Sequence, residues 1–179
     1  MKKLLLLLFI FVFSIFSIQN TFAQNATSSS QVKHVEYDLP YPGILPDSPL
    51  YFLKAVRDNF LALFITDPLK TSEYDLLMAD KRLASSKSLV DLKKYDLAIT
   101  TLSKSGNYFD KAIQKAAEAK RQGKNADSIL DKLLVSSQKH QEIIFQMVQK
   151  TKGDTRYNFE LLQVRAKNFQ NTVEVIKSN

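Results

Sequence analysis

The sequence predicts an all-α fold, an antiparallel up-and-down bundle built of helical hairpins, with about five helices. Three observations carry that prediction. Apolar residues recur at helical spacing through most of the chain, and no strand-like alternation of useful length occurs. The 179 residues hold only 4 glycines and 5 prolines, and beyond the proline-rich lead-in most of these stand where helices would begin or end. Two long segments also repeat large and small residues at a seven-residue period, the pattern of two helices packed closely side by side.

The chain opens on an export signal. Lys2 and Lys3 precede the apolar run Leu4–Ile18, and Thr21-Phe22-Ala23 places small residues at the −3 and −1 positions. A basic start, a short apolar stretch and a small-residue site make residues 1–23 a secretory signal peptide, with cleavage expected between Ala23 and Gln24. The alternative is an uncleaved anchor, since Leu4–Ala23 is 20 residues long, enough to span a bilayer. Residues 24–38 read as a flexible tether, polar and serine-rich at their start. The localisation that follows is exported: extracellular, cell surface or periplasmic. Loss of Lys2 and Lys3 from 25 basic residues leaves 23 against 18 acidic, so the mature domain is modestly cationic.

A single helical domain occupies 39–179. Its lead-in, 39–48, carries Pro40, Pro42, Gly43 and Pro46 interleaved with Leu39, Tyr41, Ile44 and Leu45, which dictates an extended path. Ser48-Pro49 reads as an N-cap followed by proline at the first helical position, starting a helix over 49–65. Leu50, Leu53, Val56, Phe60 and Phe64 form its main stripe, widened by Phe52, Leu61 and Leu63. A helix this apolar is expected at the centre of the core. Asp67-Pro68 repeats the cap signal for a helix over 68–92, in which Leu69, Leu76, Leu83 and Val90 alternate with Ser72, Ala79 and Ser86. The helix over 96–122 answers in its own register. There Leu102, Phe109 and Ala116 alternate with Ala98, Ser105, Ala112 and Ala119. Small residues at one seam position let two backbones approach closely. Gly123 and Asn125 separate this helix from one over 126–151, and Gly153-Asp154 precedes the last, over 155–177.

The stretch Leu45-Pro46-Asp47-Ser48-Pro49-Leu50-Tyr51-Phe52-Leu53-Lys54 resembles the opening of an uncharacterised helical domain family of exported bacterial proteins, whose members start with LP(D/G)SPLYxLK. The likeness continues through Asp67-Pro68 and Leu76-Leu77-Met78-Ala79-Asp80-Lys81-Arg82-Leu83, and departs at Ser85-Ser86, where such proteins usually carry Glu-Ala. The resemblance implies a helical fold and an exported domain of unknown function, with no reaction attached. Lys94-Tyr95-Asp96-Leu97-Ala98 is also weakly similar to the inter-helix turn of tetratricopeptide hairpins.

Chemistry-bearing patterns are sparse. With no cysteine, disulfides, thiolate metal sites and cysteine nucleophiles are excluded. Four glycines build neither a Walker loop nor a dinucleotide fingerprint. The two histidines are His34, in the tether, and His140, which falls near the apolar line of the fourth helix and is expected at the edge of the core with one nitrogen in water. No Glu-x-x-His or His-x-x-x-His spacing exists, so no metal, cofactor or catalytic residue is assigned. Glu73, Asp75, Asp80 and Asp91, interspersed with Lys70, Lys81, Arg82 and Lys87, read as a solvated helix face. Tyr51, Tyr74, Tyr95 and Tyr108 are assigned packing roles.

The sequence therefore predicts a non-enzymatic, exported helical module that contacts a protein or another envelope component. The alternative is a surface that binds polyanions (wall polymer, lipid headgroups or DNA) through Lys104, Lys111 and Lys115, which share one narrow face of their helix. No specific nucleic-acid motif accompanies them, and membrane attachment is expected only through a retained signal segment.

Overall fold

The computed structural model describes residues 34–178 apart from residue 63. The signal peptide, with Ala23 and Gln24, and tether residues 24–33 lie outside the described residues. Five helices are present among the described residues, α1 (Tyr51–Ala62), α2 (Pro68–Asp91), α3 (Tyr95–Arg121), α4 (Asp127–Lys150) and α5 (Gly153–Ser178). No strand occurs among the described residues.

Local chemistry sets the helix ends. Asp67 accepts hydrogen bonds from the Leu69 and Lys70 amides at 2.9 and 3.1 Å, meeting two of the four amides that a helix start leaves unpaired. Asn125 accepts from the Asp127 amide at the start of α4. The ends of α2 and α3 share one closing turn, in which Lys94 N–H donates to Leu89 and Lys124 N–H to Ala119. In each case the residue before is left-handed. At 123 that residue is glycine, but at 93 it is lysine, with φ 60°, which is why no glycine announced the first turn.

α2 and α3 form the tight hairpin that the heptads predict. Ser72, Ala79, Ser86, Ala98, Ser105 and Ala112 are all fully buried at the seam. The serines add what spacing alone did not reveal. Ser72 donates to the Ala112 carbonyl at 2.7 Å, Ser105 to Ala79 at 2.7 Å and Ser86 to Ala98 at 2.8 Å. Each step of seven along α2 is answered by a step of seven backwards along α3, so the pair is antiparallel. A leucine has no room here. Ala112→Leu is expected to cost about 1–3 kcal/mol by overpacking, whereas Lys115→Ala, a change on the outer face, should stay within about 0.5 kcal/mol. Equal urea midpoints for the two variants would refute the close seam.

α4 and α5 make the second antiparallel hairpin, in which Asp131 meets Lys177 and Gln141 meets Gln170. The hairpins then stack with α4 against α2 and α5 against α3. Across the first contact Glu73, Asp80 and Asp91 meet Lys132, His140 and Lys150, and both series of numbers rise together. Phe109 with Phe169 and Lys120 with Ile176 do the same across the second. From α2 to α5 consecutive helices alternate in direction, yet the stacked faces run parallel, and the α3–α4 link crosses the bundle diagonally. The core lies between the hairpins and includes Leu83, Leu89, Phe109, Leu130, Leu133, Met147, Phe159 and Val173.

Three expectations are overturned. α1 is not central to the core: Leu50, Phe52, Leu53, Val56, Phe60 and Phe64 are all exposed. Residues His34–Asp38, read as tether, are docked on the bundle, with the Val35 amide donating to Glu142 at 2.9 Å and the Tyr37 hydroxyl to Asp80 at 2.5 Å. His140 is no boundary residue, being 1% exposed, and Asp80 and Asp75 are buried rather than solvated. All three share a cause. Sequence spacing tells which residues share a face, but not which face a neighbouring segment covers.

Candidate functional site

The most polar part of the interior is centred on Asp80. Its carboxylate accepts from Ser136 at 2.7 Å and from the Tyr37 hydroxyl, and lies 2.9 Å from His140 Nε2. Burial, reinforced by the Asp80 charge, holds the Tyr37 phenol well above its ordinary value. Ser136 and His140 both address the same carboxylate. The hydroxyl is therefore not aimed at the imidazole, as a base-activated nucleophile would be. The geometry is that of a buried clasp, joining α2, α4 and the N-terminal strap. A second clasp sits one turn along α4, where Glu142 takes the Val35 amide and the Lys139 ammonium, and Lys139 also donates to the Val35 carbonyl. Burial opposes ionisation of Glu142, but the Val35 amide, Lys139 and His34 together hold its carboxyl below the ordinary value.

The lead-in and the start of α1 build a different surface. Gly43, at φ +70°, turns the lead-in, and Lys54 closes that turn by donating to the Pro42 carbonyl at 2.6 Å and, more weakly, to Ile44. The Ser48 amide donates to Leu45, the Ser48 hydroxyl accepts from the Leu50 amide, and the Ser48 carbonyl takes the Tyr51 amide. Asp47 pairs with Lys94 at 2.7 Å, which fastens the lead-in to the α2–α3 turn. Pro46 and Pro49 hold the backbone in the bends between these bonds. On α1 the Asp58 carbonyl accepts from Tyr74 of α2 at 2.6 Å. The side chain of Asp58 is buried and paired with Arg57.

α1 is thereby mounted inside out. At 100° per residue, Tyr51, Lys54, Ala55 and Asp58 share one side of the helix, and all four are buried or half-buried. The opposite side carries Phe52, Leu53, Val56 and Phe60, and Phe64 follows just beyond the helix end. Phe60 is 59% and Phe64 69% exposed, with their rings packed edge to face at 5.1 Å. Beside this stripe lies an open groove of about 430 Å³, lined by Tyr41, Ile44, Leu53, Lys54, Arg57 and Lys81 among others, with no acidic residue in its wall. Burial holds the Lys54 ammonium below its ordinary value.

The three lysines of the alternative surface do lie on the outside of α3, with their charge partly answered. Lys104 and Lys111 are exposed, and Lys111 lies 5.3 Å from the Tyr108 ring. Lys115 pairs with Glu118 at 2.7 Å. Buried Asp75 is close enough to feel Lys111 and Lys115, although burial dominates and holds its carboxyl above the ordinary value. Among the described residues no group of three acidic or histidine side chains is placed to hold a metal ion. No described helix is long and apolar enough to cross a membrane.

Sequence reasoning found the residues of α1 and missed their direction. The available signal was Asp58 and Lys54, polar groups opposite a stripe that needs no polar edge. Compared with known families, residues 43–177 match the model of a domain of unknown function, DUF5667. No curated protein and no solved structure matches the chain.

Proposed function

The chain belongs to the DUF5667 family, and from that membership and the outward face of α1 we propose a non-enzymatic, exported contact module. Its rigid part is the pair of stacked hairpins. Its contact surface is the apolar side of α1, held out by the lead-in. One observation carries this reading: a helix bonded to its own domain through polar groups, with Phe52 and Phe60 turned to solvent and Phe64 exposed just past its end. Contiguous apolar patches of this kind are uncommon on monomers and mark sites of association. The export arm rests on the signal peptide of residues 1–23, and mature protein beginning at Gln24 is the expected product.

Site-specific photo-crosslinking in intact cells tests the contact surface. A photoreactive residue at Phe60 should give adducts, and one at Lys111 should give none. Adducts at Lys111 with none at Phe60 would favour the cationic face of α3 and overturn the reading.

A further inference from the structure

We propose that the apolar face of α1, together with the cationic groove beside it, seats on a bilayer surface containing anionic lipid. This inference rests on α1 as the contact surface and names what it touches. The stripe Phe52, Leu53, Val56, Phe60 and Phe64 carries no charge and no hydrogen-bonding side chain, so it asks for a non-directional apolar phase. Its border is cationic. Arg57 and Lys54 lie on α1 and Lys81 on α2, in a groove whose wall holds no acid. Buried Asp58 beneath it answers part of the Arg57 charge, and Lys81 is left as a cation with no acidic partner among the described residues. An apolar stripe edged by lysine and arginine is the pattern of a helix lying in the membrane interface, with its cations at the level of the headgroups. Tyr41 and Ile44, both exposed on the lead-in, extend the same surface. Tyrosine at that level has its ring in the apolar boundary and its hydroxyl in water.

The same border disfavours a second copy of the chain. An antiparallel two-fold pairing of α1 stripes would set like edges together, bringing Lys81 of one copy toward that of the other with no acid in the groove wall between them. The chain that precedes the described residues points the same way. The apolar run Leu4–Ile18 is followed, after the cleavage site, by only ten residues, Gln24–Lys33, before His34. Ten residues reach at most about 35 Å. A retained Leu4–Ala23 anchor would therefore hold the domain within reach of the bilayer.

The test uses Gln24–Asn179, which contains all the described residues of the compact unit Val32–Asn179 and its core. It is mixed with vesicles of phosphatidylcholine alone, and with vesicles of equal parts phosphatidylcholine and phosphatidylglycerol. Cosedimentation should favour the anionic vesicles by on the order of tenfold or more, falling with added salt. The pair Phe60→Ser and Phe64→Ser should weaken binding to both vesicle types by on the order of tenfold. Arg57→Glu with Lys81→Glu should remove the preference for phosphatidylglycerol. Removal of Lys104, Lys111 and Lys115 should change neither. The phenylalanine and α3 lysine variants should keep the wild-type melting temperature to within a few degrees, because these side chains lie outside the core. Arg57→Glu also strips buried Asp58 of its partner and should lower it, so Lys81→Glu alone checks the loss of preference at unchanged stability. Wild-type protein that ignores anionic vesicles, or binding indifferent to Phe60 and Phe64, overturns the proposal. If the wild type is then a dimer that Phe60→Ser dissociates, the occupant is a second copy and the α1 surface stands. Crosslinking at Lys111 with none at Phe60 removes the α1 surface itself.

Discussion

Asp80→Ala is expected to destabilise the fold by about 3–5 kcal/mol, the usual result of removing one partner from a buried charged network. The carboxylate is 2% exposed and holds three groups, the Tyr37 hydroxyl, the Ser136 hydroxyl and His140 Nε2. Alanine leaves all three without their acceptor. It also releases the strap from α2. Asp80→Asn keeps an acceptor of the same shape and should cost less, about 1–3 kcal/mol, because a charged acceptor becomes a neutral one. Urea unfolding followed by circular dichroism reads both. An Asp80→Ala midpoint equal to that of the wild type would show that the clasp contributes nothing to stability.

Phe109→Ala should be comparably damaging, at about 3–5 kcal/mol. The ring is fully buried on α3, stacked on Phe169 at 4.6 Å between centroids, and meets His140 edge to face at 4.8 Å. It touches the second hairpin through both of its helices, so the structure has little freedom to close around the gap. The two substitutions share His140 and should not add. Once Phe109 is gone, water reaches the imidazole more easily, and the further loss of Asp80 leaves a less isolated group behind. A double variant as costly as the sum of the singles would show the aromatic stack and the polar clasp to be independent.

Much of the helical frame was legible because it depends on local rules. Asp67-Pro68 and Gly123 act through their own backbone, and the seven-residue alternation of α2 and α3 needs only each helix's own period. What could not be read was any decision made by a distant segment. Asp80 falls between Leu76 and Leu83 on the apolar side of α2, and Ser136 and His140 interrupt the apolar line of α4 between Leu133 and Ile143. Polar residues at core positions of two separate helices are the signature of a pair that satisfies itself. Each helix taken singly instead suggests a solvated edge. The same limit hid the direction of α1. Its stripe marked a surface that must be covered, and sequence periodicity is silent on whether the cover is the domain or something outside it.

The parallel stacking of the hairpins has a kinetic consequence. Each hairpin closes on contacts between neighbours in the chain, whereas every contact between hairpins joins residues far apart in sequence, such as Asp80 and His140. Formation rates fall as the chain separation of contacts grows. The hairpins are therefore expected to form early and dock late. The seam of small residues, already closed by its serine hydroxyls, would be the rigid template of that search. Docking has then to choose among registers one helical turn apart, which a purely apolar face distinguishes poorly. A buried carboxylate tolerates only the register that delivers Ser136 and His140 to it. Asp80 thus works as the proofreader of the final step, rejecting misaligned encounters before Tyr37 closes over the result.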